Sequence, residues 1–550
     1  MQVFRVLRPR WAVTALGVVM AVVPAGLTTP AVGAVGTSVA QALQQPQRSP
    51  DSGHALHHDT SPALRYLAQQ PVQLPSTPPP GDFGQPPLPA STERAAPDPV
   101  VQDFNGYRPQ IQPRRNFEGI SNGGTHPPDP NASVGLHQIV ETTNTELAVY
   151  SKAGDTLLRP VPIDALWRGF GGVCEKGQSD GKGTKVDPVV RWDTLARRWI
   201  TTWYAFERHQ LCVAVSTSED ATGSYYRYAF GYQKDNPDYP KLAVWPDAYY
   251  VTVNAAGSTG AEACAWDRSR MLRGADADQQ CYVMWTPRIM LPSDLDNTTR
   301  PPLGEPNLLV TMSDMDNSLV YWHFHVDWAD QRRTLVSSPQ ELPVEPFTRA
   351  CESTPGGNEC VPQADTAQKL DSLSYFPMYR LAYRNFGDHE SVVFNHAVRV
   401  PGAVGVRWYE LRLLPDGRPA VQQQSTYAPD TTYRWMGSAA MNREGDIALG
   451  YSQSSSQDHP SIRITGRLAE DPPNLMTFQE TTVFTGRGSQ TGPGDQPARW
   501  GDYTSMAVDP ADDCTFWYTN EYQPYTFPDN LNAWHTRIAA FQLRDCGQGP

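Results

Sequence analysis

The stretch RWGDYTSMAVDPADDCTFWYTNEY, residues 499–522, decides the fold class. A short apolar run, SMAV, leads into an acidic turn, DPADD, and a second run rich in aromatic residues follows, FWYTNEY. Two such runs around a turn that contains Asp and Pro predict a β-hairpin. The segment Arg499-Trp500-Gly501-Asp502-Tyr503 stands directly in front of this hairpin and forms its entrance.

The same strand–turn–strand pattern recurs along the chain. The seven copies begin at Ser133, Val189, Leu242, Leu308, Tyr379, Gly437 and Thr504. Starts that lie roughly 50 to 75 residues apart are typical of one four-stranded blade per copy. We therefore predict an all-β fold, a β-propeller with seven blades stapled by disulfides. Six or eight blades also fit, because the fourth and fifth copies are irregular. An array of β-sandwiches is the competing fold, but it should show linkers between copies, and none is evident after Gln112.

The N-terminus has the composition of a secretory signal peptide. Arg5, Arg8 and Arg10 precede an apolar run, and Val32-Gly33-Ala34 offers a small-residue cleavage site. We predict a signal peptide over 1–34. The alternative is an uncleaved membrane anchor, which Pro24 and Pro30 disfavour.

Residues 35–112 lack apolar periodicity and are rich in Gln, Ser and Pro, with ten prolines between Pro71 and Val100. A segment of this kind cannot bury enough surface to offset its ordering entropy. We predict a disordered linker or pro-segment over 35–112, followed by the propeller domain over 116–547.

The chain has eight cysteines and no CxxC or zinc-ligand spacing. In an exported protein this pattern favours disulfides over a metal site. Short loops and hairpin spacing favour sequential pairing, which would join Cys174 to Cys212, Cys264 to Cys281, Cys351 to Cys360, and Cys514 to Cys546.

The formal net charge of −13 argues against a nucleic-acid partner, since phosphate binding requires a basic surface. No HExxH helix is present. His323 and His325 share one face of a predicted strand, but a polar strand face explains them as well as a metal does, and we predict no metal at the site. No cofactor is expected. Structural Ca²⁺ at the acidic turns that begin at Asp294 and Asp314 is an open alternative to ordinary turn chemistry.

The segments that lead into the copies carry a biased set of charged and aromatic residues. In a propeller such segments converge at one mouth of the central channel, so we expect these side chains to lie close together. The expected catalytic residues are Asp129, Asp187, Asp238, Asp502 and Tyr503, and the expected substrate-binding residues are Lys241, Arg380, Arg434, Trp435, Arg499 and Trp500.

These residue types suit an acidic sugar. Guanidinium groups match the geometry of a carboxylate or sulfate, and an indole offers a flat apolar face to a sugar ring. A carboxyl group could act as acid or base, with Tyr503 as nucleophile or proton donor. Alternatively, Asp and Arg could pair across the channel and seal it, with the tryptophans wedged between blades.

The strings PPDPNASVG, RWMGSAAMNREGDIALGYS and RWGDYTSMAVDPADDCTFWYTNEY resemble an uncharacterised family of secreted bacterial β-propeller proteins. At the level of fold, the copies are similar to the repeats of sialidase-type propellers. That resemblance implies an arginine triad of Arg380, Arg434 and Arg499, with Tyr503 as the tyrosine. The Arg-Ile-Pro motif and the regular Asp boxes of sialidases are missing, so the resemblance implies an anionic glycan at the mouth.

Two classes of function follow. The first is a secreted propeller, extracellular or periplasmic, that binds and could cleave an acidic glycan as a glycoside hydrolase or polysaccharide lyase. The second is a non-catalytic propeller for binding, adhesion or scaffolding at the cell surface. The partner is a polysaccharide or glycoconjugate in the first class. We expect a monomer with no membrane attachment after signal cleavage.

Overall fold

The computed structural model describes residues 49–69, 98–121, 126–175, 185–205, 209–232, 236–256, 260–284, 289–351, 359–492, 499–527 and 533–546. These residues form an all-β protein, which confirms that part of the predicted fold. The helices among them are single turns, and none has the length and apolar character needed to cross a bilayer. The predicted signal peptide lies outside the described residues.

Short elements precede the first sheet. They are β1 Asp51–His54, β2 His57–Thr60, α1 Leu64–Leu67, β3 Val101–Gln102 and β4 Arg115–Ser121.

Seven antiparallel groups of strands follow in chain order. The first three groups contain β5 Asn131–Val134, β6 Gln138–Thr142, β7 Glu146–Ser151 and β8 Thr156–Pro162; then β9 Lys185–Asp193, β10 Arg198–Ala205, β11 Gln210–Ser216 and β12 Tyr225–Gly231; then β13 Asn236–Val244, β14 Tyr249–Ala256, β15 Ala261–Trp266 and β16 Asp278–Met284. Three helical turns, α2 Asp164–Trp167, α3 Gly172–Glu175 and α4 Arg268–Met271, lie in the connections.

The fourth group contains β17 Leu291–Leu295, β18 Asn307–Met312, β19 Ser318–His325, β20 Leu335–Val336 and β21 Gln340–Pro343, with a 3₁₀ turn at Gln331–Arg333. A small pair, β22 Glu359–Val361 and β23 Leu370–Asp371, precedes the fifth group. The last three groups contain β24 Met378–Asn385, β25 Glu390–Val400, β26 Ala403–Leu413 and β27 Pro419–Tyr427; then β28 Tyr433–Met441, β29 Ile447–Ser454, β30 Ser461–Arg467 and β31 Thr481–Phe484; then β32 Ser505–Val508, β33 Phe516–Tyr522 and β34 His535–Phe541.

The first strand of each group lies against the first strand of the next. The succession runs β5, β9, β13, β17, β24, β28 and β32, and β32 in turn contacts β5. The step from β17 to β24 includes parallel pairing, for example between Ser293 and Leu381. β4 completes the seventh group by pairing antiparallel with β34. A strand that precedes the first group and strands near the C-terminus therefore share one sheet.

Part of the segment predicted as a linker is ordered. β1 pairs with the outer strand β16 and β2 with the outer strand β12, while β3 lies parallel to β27. The sequences DSGH and HHDT are too short and too polar to show the alternation that identifies a strand, so the prediction missed them. Their backbone groups are paired all the same, because they complete sheet edges that already exist. Residues 70–97 lie outside the described ranges.

The opening hairpin has the predicted form. β32 pairs with β33, from Ser505 opposite Thr519 to Val508 opposite Phe516. Asp512 Oδ1 accepts hydrogen bonds from the backbone N–H groups of Cys514 and Thr515, both at 2.9 Å. This use of an Asp side chain to satisfy local backbone donors explains why the acidic run forms the turn.

All four predicted disulfides are present, Cys174–Cys212, Cys264–Cys281, Cys351–Cys360 and Cys514–Cys546. They agree with an oxidising compartment. The core lies between neighbouring groups. Trp192, Trp199 and Trp203, for instance, are buried between the first and second groups.

Candidate functional site

Several of the expected site residues meet where the first strands begin. The backbone N–H of Asp502 donates a 2.7 Å hydrogen bond to Asp129 Oδ1, and that of Tyr239 donates one of 2.9 Å to Asp187 Oδ2. The Tyr239 hydroxyl donates to the Asp502 carbonyl at 3.1 Å. These residues come from the first, second, third and seventh groups. We call the set formed by Asp129, Asp187, Tyr239, Lys241, Asp502 and Tyr503 the entrance cluster.

Three of the first strands have the same irregularity near their beginnings, a register shift at a residue with positive φ. Register shifts interrupt β9 beside Asp187, β13 beside Tyr239 and β28 beside Met436. The same residues have φ of 54°, 54° and 50°, and Asp129 has φ of 51°. Left-handed backbone is tolerated by Asp but is costly for a bulky residue such as Tyr239. In a regular strand, successive side chains point to alternate faces of the sheet. A bulge changes the direction of the side chains beside it, and bulges are common next to functional sites.

Asn144 joins two residues of the entrance cluster. Its Nδ2 donates to Asp129 Oδ2 at 2.6 Å, and its Oδ1 accepts from the backbone N–H of Asp187 at 2.7 Å. The residue lies in the turn between β6 and β7. Only a buried polar side chain with both donor and acceptor can make this bridge. Asn144 could not be predicted from the sequence, because an Asn in a turn is common without such a role.

Lys241 lies in a box of tyrosine rings. Its Nζ is 3.0 Å from the centroid of the Tyr239 ring, 3.7 Å from that of Tyr503 and 5.9 Å from that of Tyr379. Within the described part of the chain, Nζ has no hydrogen-bond partner. Burial lowers the pKa of Lys241 well below its usual range, although the carboxylates of Asp187 and Asp502 oppose this shift. The side chain is fully buried, which contradicts the expected substrate-binding role of Lys241.

Asp129 is poised to keep its proton. Burial raises the pKa of its carboxyl group well above the usual range, and the nearby charges of Asp502 and Asp187 raise it further. Close carboxyl groups cannot all ionise in a site that excludes water. A carboxyl group that stays protonated near neutral pH can donate a proton to a bound molecule.

Arg499 connects the entrance cluster to a further acid. Its Nε lies 3.0 Å from Asp371 Oδ2, and its Nη2 also pairs with Asp502. Burial raises the pKa of Asp371 to about 7, and the charge of Arg499 opposes that rise. The Arg499 side chain remains 15% exposed, which makes it the most accessible of the expected guanidinium groups.

Glu521 supports the same segment from the side. Its Oε1 accepts a hydrogen bond from the backbone N–H of Gly501. A Cβ at position 501 would lie 2.7 Å from this oxygen, so the close approach requires glycine. Burial raises the pKa of Glu521 well above its usual range. Asp371 and Glu521 were not expected from the sequence, because no local pattern reveals their contacts with Arg499 and Gly501.

Arg380 and Arg434 do not join the entrance cluster. Arg380 Nη1 lies 3.2 Å from Asp294 Oδ2, and its Nη2 pairs with Asp296. Arg434 pairs with Glu480 at 2.7 Å and with Asp430 at 2.9 Å. Both side chains are buried and fully engaged by carboxylates, which corrects the expectation that they bind substrate. Burial of a guanidinium group demands such partners.

Trp435 and Trp500 are also buried, with ring centroids 5.9 Å apart. They pack against each other and offer no face to a ligand, contrary to the expected role. Asp238 lies in β13 at 9% exposure, and its charge acts on Lys241. Its expected catalytic role stays a prediction.

The acidic turn at Asp294, for which calcium was an open alternative, pairs with arginines. Asp294 Oδ2 lies 2.6 Å from Arg191 Nε, so two guanidinium groups, those of Arg191 and Arg380, engage this carboxylate. His323 Nε2 lies 3.0 Å from the carbonyl of Gly417. Cys264 and Cys281, which lie near Glu262, are joined in a disulfide and offer no thiolate to a metal.

No protein-family model matches the sequence. A search of curated proteins gives no match either. Three similar solved structures are a protein of unknown function from Dyadobacter fermentans, an exo-β-1,3-galactanase from Phanerochaete chrysosporium with galactose, and an ulvan lyase bound to an oligosaccharide.

In that order, their identities to this chain are 10%, 9% and 9%, and their TM-scores are 0.29, 0.29 and 0.33. The alignments cover 79%, 80% and 62% of this chain and 100%, 98% and 80% of the respective structures. Likenesses at these scores are too distant to identify a fold or an activity.

Proposed function

We propose that this chain is a secreted seven-bladed β-propeller. The succession of first strands supports the blade number, since seven groups follow one another and the last lies against the first. The shared sheet of β4 and β34 would fasten that ring. The predicted signal peptide and the four disulfides support secretion.

The site of action in this proposal is the entrance cluster, which binds a glycan. One observation carries it: carboxyl, ammonium and phenol groups from four blades converge at the ends of the first strands, as the contact between Asp502 and Asp129 illustrates. Sites that bring titratable groups with shifted pKa values together are candidates for binding and catalysis. Arg499 is the partly exposed cation beside the cluster, so the preferred glycan carries a carboxylate or sulfate.

Cleavage in this proposal is a hydrolysis. Protonated Asp129 transfers its proton to the glycosidic oxygen as the bond to the anomeric carbon breaks. Water adds to that carbon, and its proton passes to a carboxylate, for which Asp187 is the candidate. If the glycan is a uronate, elimination is the alternative chemistry. A base then removes the proton from C5, the C4–C5 double bond forms as the C4–O bond breaks, and the leaving oxygen takes a proton from an acid, for which Asp129 is the candidate.

A second candidate is a propeller that binds without cleaving. The network of Arg191, Arg380, Asp294 and Asp296 favours it, because these paired charges are buried between β9, β17 and β24. Burial of the whole entrance cluster, including Asp129 and Asp187, points the same way. Binding would then use the rim around Arg499 alone.

The experiment is an incubation of the full secreted chain with alginate, polygalacturonate, hyaluronate, arabinan and β-1,3-galactan. Binding is followed by calorimetry and products by mass spectrometry. Products with added water indicate a hydrolase, and unsaturated products indicate a lyase. Asp129→Asn should abolish product formation, whereas the exposed Asp416→Asn should not. Binding without products would favour the second candidate. The absence of both binding and products would contradict the glycan proposal.

A further inference from the structure

Two exposed aromatic residues lie beside the entrance cluster. Tyr525 is 47% exposed and Phe527 is 46% exposed, and their ring centroids are 5.6 Å apart. Exposed rings are ordinary when they are isolated. Two rings that lie together, on a short loop held by hydrogen bonds, form a preorganised apolar surface.

Strand direction places this pair at the same end as Asp502. β32 begins just after Asp502 and runs away from the entrance, and β33 returns antiparallel to it and ends at Tyr522. Tyr525 and Phe527 therefore emerge beside the segment that carries Arg499.

The loop is tied to that segment by a chain of hydrogen bonds. The Ser489 N–H donates to Thr526 Oγ1 at 2.9 Å, and the Thr491 hydroxyl donates to the Phe527 carbonyl at 3.1 Å. Gln523 Nε2 donates to Gln490 Oε1 at 3.3 Å, and Gln490 Nε2 donates to the carbonyl of Arg499. Hydrogen bonds thus connect the loop that carries Tyr525 and Phe527 to the segment that carries Arg499.

We propose that Tyr525 and Phe527 form a platform that stacks against a pyranose ring of the bound glycan. The proposal rests on the proposed function and adds a binding subsite to it. The negative face of an aromatic ring attracts the polarised C–H groups on one side of a sugar ring, and the apolar contact removes both surfaces from water. The platform takes the role that the sequence analysis gave to Trp435 and Trp500, which are buried.

The occupant is a sugar unit next to the one held at the entrance cluster. Gln490 and Gln523 lie between the platform and the Arg499 segment. Their amide groups are already paired with each other, with His126 and with the Arg499 carbonyl, so they position the loop and do not bind the sugar. Recognition at the platform therefore depends on ring shape. It should tolerate neutral and acidic sugars alike, whereas Arg499 selects charge.

The test measures binding of the full chain to the same five polysaccharides by affinity electrophoresis. Tyr525→Ala and Phe527→Ala should each weaken binding about tenfold, or about 1.4 kcal/mol. Tyr525→Phe keeps the ring and should retain binding. Tyr107→Ala is the matched control, since Tyr107 is 60% exposed beside Phe478, at the opposite end of the strands from Asp502. Thermal melting checks that each variant folds.

Wild-type affinity in both alanine variants would overturn the platform while leaving the proposed function intact. Equal losses in the Tyr107→Ala control would also overturn it, because the effect would not be specific. A wild-type chain that binds none of the polysaccharides would overturn the proposed function and the platform together.

Discussion

The backbone N–H of Asp502 donates a hydrogen bond of 2.7 Å to Asp129 Oδ1, across 373 positions of sequence. Asp502 precedes the first strand of the seventh group, and Asp129 precedes that of the first group. Asp129 also accepts from Asn144 Nδ2, so one carboxylate satisfies donors from two segments. Asp129, the residue proposed as the catalytic acid, therefore also connects the seventh group of strands to the first.

Asp129→Ala should lower the free energy of unfolding by about 2–4 kcal/mol, because the buried Asp502 N–H and one of the two N–H groups of Asn144 Nδ2 lose their acceptor. Urea unfolding measures the change. Asp129→Asn keeps one acceptor oxygen and should cost less. Asp416→Ala, at an exposed position, should stay within about 0.5 kcal/mol of wild type. Equal stability of Asp129→Ala and wild type would contradict the buried contacts described for Asp129.

The sequence was sufficient for the strand pattern, the disulfides and part of the entrance cluster. Asp129, Asp187 and Tyr503 could be predicted because they directly precede or begin the first strands, a position set by local order. Asn144 and Asp371 could not, since no local sequence pattern reveals their contacts with Asp187 and Arg499. Arg380 was wrongly predicted to bind substrate. A buried arginine and a ligand-binding arginine cannot be distinguished in the sequence until the carboxylates around them are known.

Arg380→Met should destabilise the fold by about 3–5 kcal/mol, because it leaves Asp294 and Asp296 buried with one guanidinium fewer. The measurement is urea unfolding, combined with glycan binding at a temperature where the variant is folded. Binding should be unchanged there. The exposed Arg418→Met, which loses its pair with Asp416, should cost less than about 1 kcal/mol. A loss of binding without a loss of stability would return Arg380 to the substrate-binding role.

Glu141 should make stability fall as pH rises toward neutrality. Burial raises the pKa of its carboxyl group from 4.5 to about 7. The folded state thus prefers the protonated form, and its stabilisation is complete below about pH 4.5 and is lost as pH rises through about 7. Glu141→Gln, which cannot ionise, should become more stable than wild type above that range by up to about 3 kcal/mol.

Denaturant unfolding between pH 4 and pH 8 checks this difference. Its control is Glu444→Gln, an exposed substitution that should follow the wild-type curve. Parallel curves for Glu141→Gln and wild type would show that Glu141 does not titrate between these pH values.

The N-terminal strands should contribute to the stability of the folded chain. Arg227 is buried, and its Nε donates to Asp59 Oδ1 of β2 at 2.8 Å. Asp59→Ala removes this carboxylate and should lower the free energy of unfolding by about 1–3 kcal/mol, because a buried guanidinium loses its counter-charge. Glu219→Ala, which breaks an exposed pair with Arg197, is the matched control and should cost less than about 1 kcal/mol.

Removal of residues 49–69 tests the same contacts more severely. It would expose the backbone donors and acceptors along β12 and β16 and would leave Arg227 without Asp59. Exposed strand edges of this kind pair with other chains, so the truncated protein should melt earlier and aggregate at a lower concentration than the full chain. Light scattering and thermal melting measure both effects. Identical behaviour of the two proteins would mean that β1 and β2 are not held in solution, and the original prediction of a linker would then apply to them.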